Sequence, residues 1–409
     1  MKFALLGYGT EGDTRPLAFL ARALIDAGHE AIQLADASTL GTAKALGVPA
    51  VPLAGDIRGT LDPQQAISGV LKEGAGVTRT TRALANIANA NATSWLRTTV
   101  GAARGCDALI VSGLAAFVGF SAAEFLRIPA IGAGMIPITP TREFPSPFLP
   151  TQRLPSFLNR ASQSLVNQLL WRAFRAETNR ARAAVCDLPP RRRLWQGHPM
   201  LYGISPSLCP TPADWPDNAL MCGQWTRPVE HWTAPAALQA FLDAGEAPLY
   251  IGFGSMLGFD NAALRRTIVD AVGDRRTVFQ PGWSGIDTSA LPANIHVIGD
   301  TPHDWLFPRV GVVVHHGGSG TSHSATRAGV PSVVVPFAGD QFFWADRLRR
   351  AGVSPTRLDG RSLDAASLAE AIDAAAQPEI RGRAETLGRR MRAEDGLATA
   401  VTRIEALMR

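Results

Sequence analysis

Five runs in the second half of the chain, PLYIGFGSM (248–256), TVFQPGW (277–283), IHVIGD (295–300), VGVVVHHGG (310–318) and PSVVVPF (331–337), are almost continuously apolar and meet Gly or Pro at or near their ends. A strand wetted on one face alternates apolar and polar residues, so runs without alternation must be covered on both faces. A parallel sheet sandwiched between helices meets that condition.

The first half carries the same signal. KFALLGY (2–8), a helix expected over Pro16–Ala27, HEAIQLAD (29–36), a helix through Thr39–Leu46 and AVPL (50–53) read as repeated βα units. CDALIVSG (106–113) and IPAIGAG (128–134) add two parallel strands, separated by the helical stretch AAFVGFSAAEFLR. Between 206 and 235 the texture turns dense in Pro and Trp and loses its periodicity, as a linker does. The expectation is an α/β chain with two Rossmann-like parallel-sheet domains, 1–205 and 236–409, facing each other across a cleft, with 206–235 between them. A length of 409 residues suits two such units.

Composition narrows the class. The apolar run after Met1 and Lys2 is too short for a signal peptide or a membrane span, which points to a cytoplasmic chain. Cys106, Cys186, Cys209 and Cys222 are scattered without a C-x-x-C pair, so neither a zinc site nor a disulfide framework is expected. Residues 1–205 hold 21 Lys and Arg against 13 Asp and Glu, a surplus of +8, while 206–409 hold 19 against 22, or −3. Nine Arg fall between 151 and 200, densest at Arg191, Arg192 and Arg193. Leu158, Leu165, Val166, Leu169, Leu170, Ala173 and Phe174 recur there at helical spacing, so the segment reads as an amphipathic helix. It either packs on the core with its basic face in solvent or rests on an anionic membrane surface. No aromatic-interleaved basic motif accompanies it, and nucleic acid is not an expected partner.

The first strand runs into Gly7, Gly9 and Gly12, spaced G-x-G-x-x-G, and Asp36 ends the second strand where a ribose-binding acid would sit. An NAD(P)-dependent oxidoreductase is therefore one reading. Against it, Asp13, Thr14 and Pro16 suggest a helix beginning near Thr14 or Arg15, after the glycines. That leaves Asp13 at the mouth of the sheet, where its charge repels a pyrophosphate.

The stretch VVVHHGGSGTSHSATRAG (312–329) makes a better anion loop. A buried strand ends at His315 and His316, and the chain turns through Gly317, Gly318, Ser319 and Gly320 into a helix carrying Thr321 and Ser322. Backbone N–H groups, hydroxyls and the helix dipole all favour phosphate there. Adjacent strand residues point to opposite faces, so His316 is expected to face the cleft and His315 the core; His323 has no assigned role. Further on, Asp340 and Gln341 in VPFAGDQFFWADRL pair an acceptor with an amide, suited to sugar hydroxyls or to a plain helix start.

Taken together, IGFGSM, PHDWLFPRV, HHGGSGT and RAGVPSVVVPFAGDQFFWADRL resemble the sterol-glucosyltransferase-like branch of the family-1 nucleotide-sugar glycosyltransferases, of the two-domain GT-B fold. GTEGDTRP and ITPTREFPSPFLP resemble it as well. The resemblance implies inverting, metal-independent transfer of a hexose from UDP-glucose or a TDP-sugar to a hydroxyl of a sterol, polyketide or lipid-like alcohol. It needs no cofactor beyond the nucleotide sugar as co-substrate. By position, Asp13 resembles the base, His316, Gly318, Ser319, Gly320 and Thr321 the diphosphate loop, and Asp340 with Gln341 the sugar contacts. Ser255 resembles a further phosphate contact and Trp283 lies in a region near the nucleotide. The chain departs from the pattern at Glu11, where the family often has Arg, and has no His before Asp13 to serve as base. A catalytically silent, glycosyltransferase-like binding protein is the other alternative.

Overall fold

The computed structural model describes residues 1–60, 76–150, 154–228, 232–254, 261–282, 286–289, 291–356 and 358–409. The first sheet comprises β1 (Lys2–Tyr8), β2 (Glu30–Asp36), β3 (Ala50–Leu53), β4 (Ala108–Gly113), β5 (Ala130–Gly134), β6 (Met200–Tyr202) and β7 (Ala219–Met221), in the order β3-β2-β1-β4-β5-β6-β7. The second comprises β8 (Leu249–Gly252), β9 (Thr277–Gln280), β10 (Ile295–Val297), β11 (Val312–His315) and β12 (Ser332–Val334), in the order β10-β9-β8-β11-β12. Every pairing among the described residues is parallel.

Both faces of the first sheet are covered, as the unbroken apolar runs require. Alternation along β1 sends Phe3 and Leu5 to one side, against Leu17, Leu20 and Leu24 of the helix Glu11–Asp26. Ala4, Leu6 and Tyr8 go to the other side, against Trp95 and Leu96 of the helix Gly76–Ala102.

The expected domain boundaries need two corrections. Ala219–Met221, inside the stretch read as a linker, form the edge strand β7 of the first sheet. Their run is too short for its alternation to show among the surrounding prolines. The second domain does not hold everything from 236 to the end, because the last helix, Gly396–Leu407, returns to the first domain. Its Ala400, Val401 and Ile404 pack into the cluster that contains Leu17 and Leu24. The two domains also share a core in which Phe144, Tyr202 and Trp215 meet Phe343, Trp344 and Met391.

The helix Ser156–Cys186 forms as expected, but its expected apolar stripe is buried only in part, at Phe174 and Leu170. Leu158, Leu165 and Leu169 are exposed, whereas Asn159, Gln163, Trp171, Phe174 and Arg182 are buried. The side-chain amides explain the choice: Asn159, Gln163 and Asn167 donate to the carbonyls of Arg142, Phe144 and Ile138. They satisfy a loop that would otherwise bury unpaired acceptors. The arginine surplus is also partly structural. Arg182, only 1 % exposed, makes two hydrogen bonds to Glu124 and donates to the Pro189 carbonyl. Arg191 stacks 4.3 Å above Trp195.

Candidate active site

In each sheet one strand is flanked by strands whose connections leave in opposite directions, β1 against β4 and β8 against β11. Ligands of open α/β sheets bind beyond the carboxyl ends of strands at such switch points. Asp13 follows β1 and the His316 loop follows β11, so the two switch points face each other. A cavity of about 3520 Å³ lies between them, lined by Thr10, Asp13 and Gly113 from one side and Tyr250, His316 and Asp340 from the other.

The helix after β1 begins at Glu11, earlier than the start near Thr14 or Arg15 that Pro16 suggested, so it opens inside the glycine motif. Asp13 is the reason. It stands three residues after the N-cap Thr10, and its Oδ2 accepts from the Thr10 backbone N–H at 2.9 Å and the Thr10 hydroxyl at 3.4 Å. This anchors the first turn early, and Pro16 sits inside the helix with only one backbone bond forgone.

The same carboxylate occupies the place a pyrophosphate would take, since a Cβ on Gly9 would collide with it. Asp36 is equally unsuited to a ribose. It is buried, accepting from the Tyr8 hydroxyl at 2.6 Å, from the Ile57 N–H at 3.0 Å and from Ser38. The oxidoreductase reading finds both of its key positions already filled.

Asp13 carries a perturbed acidity: burial pushes its pKa up to about 6 against the opposing Thr10 hydrogen bonds. Asp340 is also raised to about 6, by burial first, with the Asp13 charge adding to it across the cleft. The indole N–H of Trp344 donates to Asp340 Oδ2 at 2.9 Å and fixes the carboxylate at the N-cap of the helix Gln341–Arg350. Gln341 is buried, its amide oxygen accepting from the backbone of Phe337 at 2.7 Å and Ala338 at 3.0 Å. That shapes the turn in front of Asp340.

In the second domain, the pair of histidines separates by strand alternation. His315 is buried and its Nδ1 accepts from the Gly317 N–H at 3.1 Å, while His316 lines the cavity. Burial pushes His316 down to about 4, so the imidazole is neutral near pH 7. Gly318, Ser319, Gly320 and Thr321 line the cavity at the start of the helix Ser319–Ala328. A Cβ on Gly318 would stand 2.5 Å from His316 Nε2, so only glycine lets the ring lie against the loop.

His323, left without a role above, is buried. Its Nδ1 meets the Ser319 carbonyl at 2.8 Å and its Nε2 accepts from the Ser205 N–H at 3.2 Å, tying this helix to the segment after β6. Ser255 and Trp283 lie outside the described residues. Among the described residues, no group of three His, Cys, Asp or Glu is placed to hold a metal ion.

The structure adds residues that the sequence did not single out. His303 lines the cavity, its ring stacked on Phe307 at 4.2 Å. Trp232, also at the cavity, packs on Trp305 at 4.8 Å. His303 sits within PHDWLF, but a His after Pro at a helix start has no distinguishing pattern in sequence. On the first-domain side, Phe117, Trp171, Phe174 and Trp195 line the wall, Phe117 meeting Trp171 edge-on at 5.1 Å and Trp195 in a stack at 6.4 Å.

Residues 269–407 match the family model described as erythromycin biosynthesis protein CIII-like, C-terminal domain. A sterol 3-beta-glucosyltransferase of Emericella nidulans is 32% identical over 431 residues, covering 99% of this chain. The chain spans only 30% of the length of that fungal relative. A sterol 3-beta-glucosyltransferase of Arabidopsis thaliana is 30% identical over 98% of this chain and 67% of its own length. Among solved structures, the glycosyltransferase of kitacinnamycin superimposes with a TM-score of 0.72 at 20% identity, over 100% of this chain and 99% of that one, which establishes the fold. With two facing parallel-sheet domains and relatives matched along nearly its whole length, the chain belongs to the family-1 glycosyltransferases of GT-B fold, in the branch that includes the sterol 3-beta-glucosyltransferases.

Proposed function

We propose that this chain transfers a hexose from a UDP- or TDP-sugar to a hydroxyl of a hydrophobic small molecule. The observation that carries the reading is the pairing of two carboxylates of raised pKa across one cavity, Asp13 on the acceptor side and Asp340 beside the anion loop. Asp13 removes the proton from the acceptor hydroxyl as that oxygen attacks the anomeric carbon. General-base help of this kind is worth roughly 10²–10⁴-fold. The bond from the anomeric carbon to the diphosphate breaks on the opposite face, so the product is inverted. The electron pair stays on the diphosphate, where the N–H groups and dipole of the Gly318–Thr321 loop stabilise it. The donor is a co-substrate, and the loop's donors do the work of a metal.

The acceptor class follows from the wall opposite. Phe117 and Trp195, part-exposed at the cavity with Trp171 and Phe174 packed behind them, offer apolar ring surface to a sterol-like or polyketide ring system, and the sterol glucosyltransferase relatives support that class. Incubation with UDP-glucose or TDP-glucose and cholesterol should release the nucleotide and give a β-glucoside from the α-linked donor. Donor binding without nucleotide release across a panel of sterols and polyketides would favour a silent binding protein.

A second observation supports peripheral contact with an anionic membrane. The helix Ser156–Cys186 exposes Phe157 (77%), Leu165 (56%) and Leu169 (50%), with Arg160, Arg172 and Arg175 exposed on the same element. Phe148, Arg160 and Arg172 also line the cavity, which places this patch at its mouth. Among the described residues no helix is long and apolar enough to cross a membrane. Flotation with phosphatidylglycerol vesicles should retain the chain and phosphatidylcholine vesicles should not; no retention on either would end the reading. All four cysteines are free thiols, which supports a cytoplasmic location.

A further inference from the structure

The wall below Asp13 carries a cation whose position follows from helical register. Glu11 and Arg15 are one turn apart on the helix Glu11–Asp26, so both project from one face. Arg15 Nε donates to Glu11 Oε2 at 3.3 Å. The guanidinium then reaches out of the first domain, with Nη2 at 3.9 Å from Asp300 Oδ2 in the second. Glu11, Arg15, Asp300 and His303 all line the cavity that holds Asp13, His316 and the anion loop. Arg15 and His316 each act electrostatically on the His303 ring.

The donor half is short of positive charge of its own. His303 and His316 are both neutral near pH 7, pushed by burial down to about 4. Among the described second-domain residues lining the cavity, Arg361 carries the one fixed positive charge, and two hydrogen bonds hold it to Asp359. A leaving diphosphate, gaining charge as its bond to the sugar breaks, therefore calls for a cation from the facing domain. Arg15 stands on the same helix face as Glu11, one turn on.

We propose that Arg15 is the cation for the departing diphosphate: on donor binding its guanidinium exchanges Asp300 for diphosphate oxygens, while Glu11 steadies its stem. This rests on the reading that a nucleotide-sugar diphosphate occupies the Gly318–Thr321 loop. The exchange is easy because the Arg15–Asp300 pair is long and wet, with side chains 43% and 86% exposed, and so holds little energy. A guanidinium fork can then meet two diphosphate oxygens at once. Arg15 neither gains nor loses a proton. The acceptor proton goes to Asp13, and the electron pair of the broken bond goes to the diphosphate oxygen that Arg15 faces.

Arg15→Gln and Arg15→Lys, made in the full chain, test the assignment through initial rates with UDP-glucose and cholesterol and through calorimetric titration with UDP and UMP. Arg15→Gln should lower kcat about 10- to 100-fold and weaken UDP clearly more than UMP, with Arg15→Lys recovering part of both. An unchanged kcat, or equal weakening of UDP and UMP alongside a lowered Tm, would overturn the role and leave Arg15 as a structural contact. If the unmodified chain binds neither UDP nor TDP, the loop reading itself fails, and the Arg15 role with it.

Discussion

The Asp13 carboxylate of the first domain opposes the ionisation of Asp340 in the second, across the cleft. Two carboxylates placed this way share one electrostatic environment, so a change at one is felt at the other.

Activity should therefore follow an acid limb near pH 6. Asp13 works as a base only when ionised, and with its pKa raised to about 6 the active form is lost as pH falls through that value. Asp340→Asn removes the opposing charge and should move the limb of kcat/KM to lower pH. A limb that stays in place would show that the two carboxylates titrate independently.

Asp13→Asn should abolish transfer while leaving UDP affinity nearly intact, because the carboxylate stands apart from the anion loop. The same substitution should stabilise the fold at pH 8. A carboxyl whose pKa is higher folded than unfolded destabilises the native state as pH rises above 3.8 toward 6. After allowance for partial exposure the gain is about 1 kcal/mol, and it should vanish at pH 3. Urea denaturation at the two pH values measures it.

Gly318→Ala should weaken nucleotide binding, because the new Cβ would lie 2.5 Å from His316 Nε2 and push the ring from its place against the loop. Gly320→Ala is the control: a Cβ there meets nothing within 4 Å. Calorimetry with UDP should separate the two, and equal affinities would deny the ring its position at the anion.

Glu124→Ala should destabilise the first domain by about 2–4 kcal/mol, with Glu124 itself about a third exposed. It strips the carboxylate from Arg182, whose guanidinium is almost wholly buried. A change in Tm of under a degree would show that the Pro189 carbonyl alone suffices for that guanidinium.

Sequence was most informative where one local rule sufficed. Unbroken apolar runs fixed the parallel strands, because lack of alternation admits only cover on both faces. The small-residue turn after His316 stood out as a candidate anion loop, and strand alternation told His316 from His315. Local rules misjudged the helix start at Glu11, where a side-chain carboxylate outweighed a proline. They also misjudged the buried face of Ser156–Cys186, where amides serve a loop remote in sequence.

What the chain alone determined was the two-sheet architecture and the chemistry available at each loop, since both follow from periodicity and residue type over a few neighbours. Only the tertiary structure decided which loops share a cavity: the return of the last helix to the first domain, Arg15 reaching Asp300, and Asp13 facing Asp340. Those relationships join residues hundreds of positions apart, and charge and burial act through space, not along the chain.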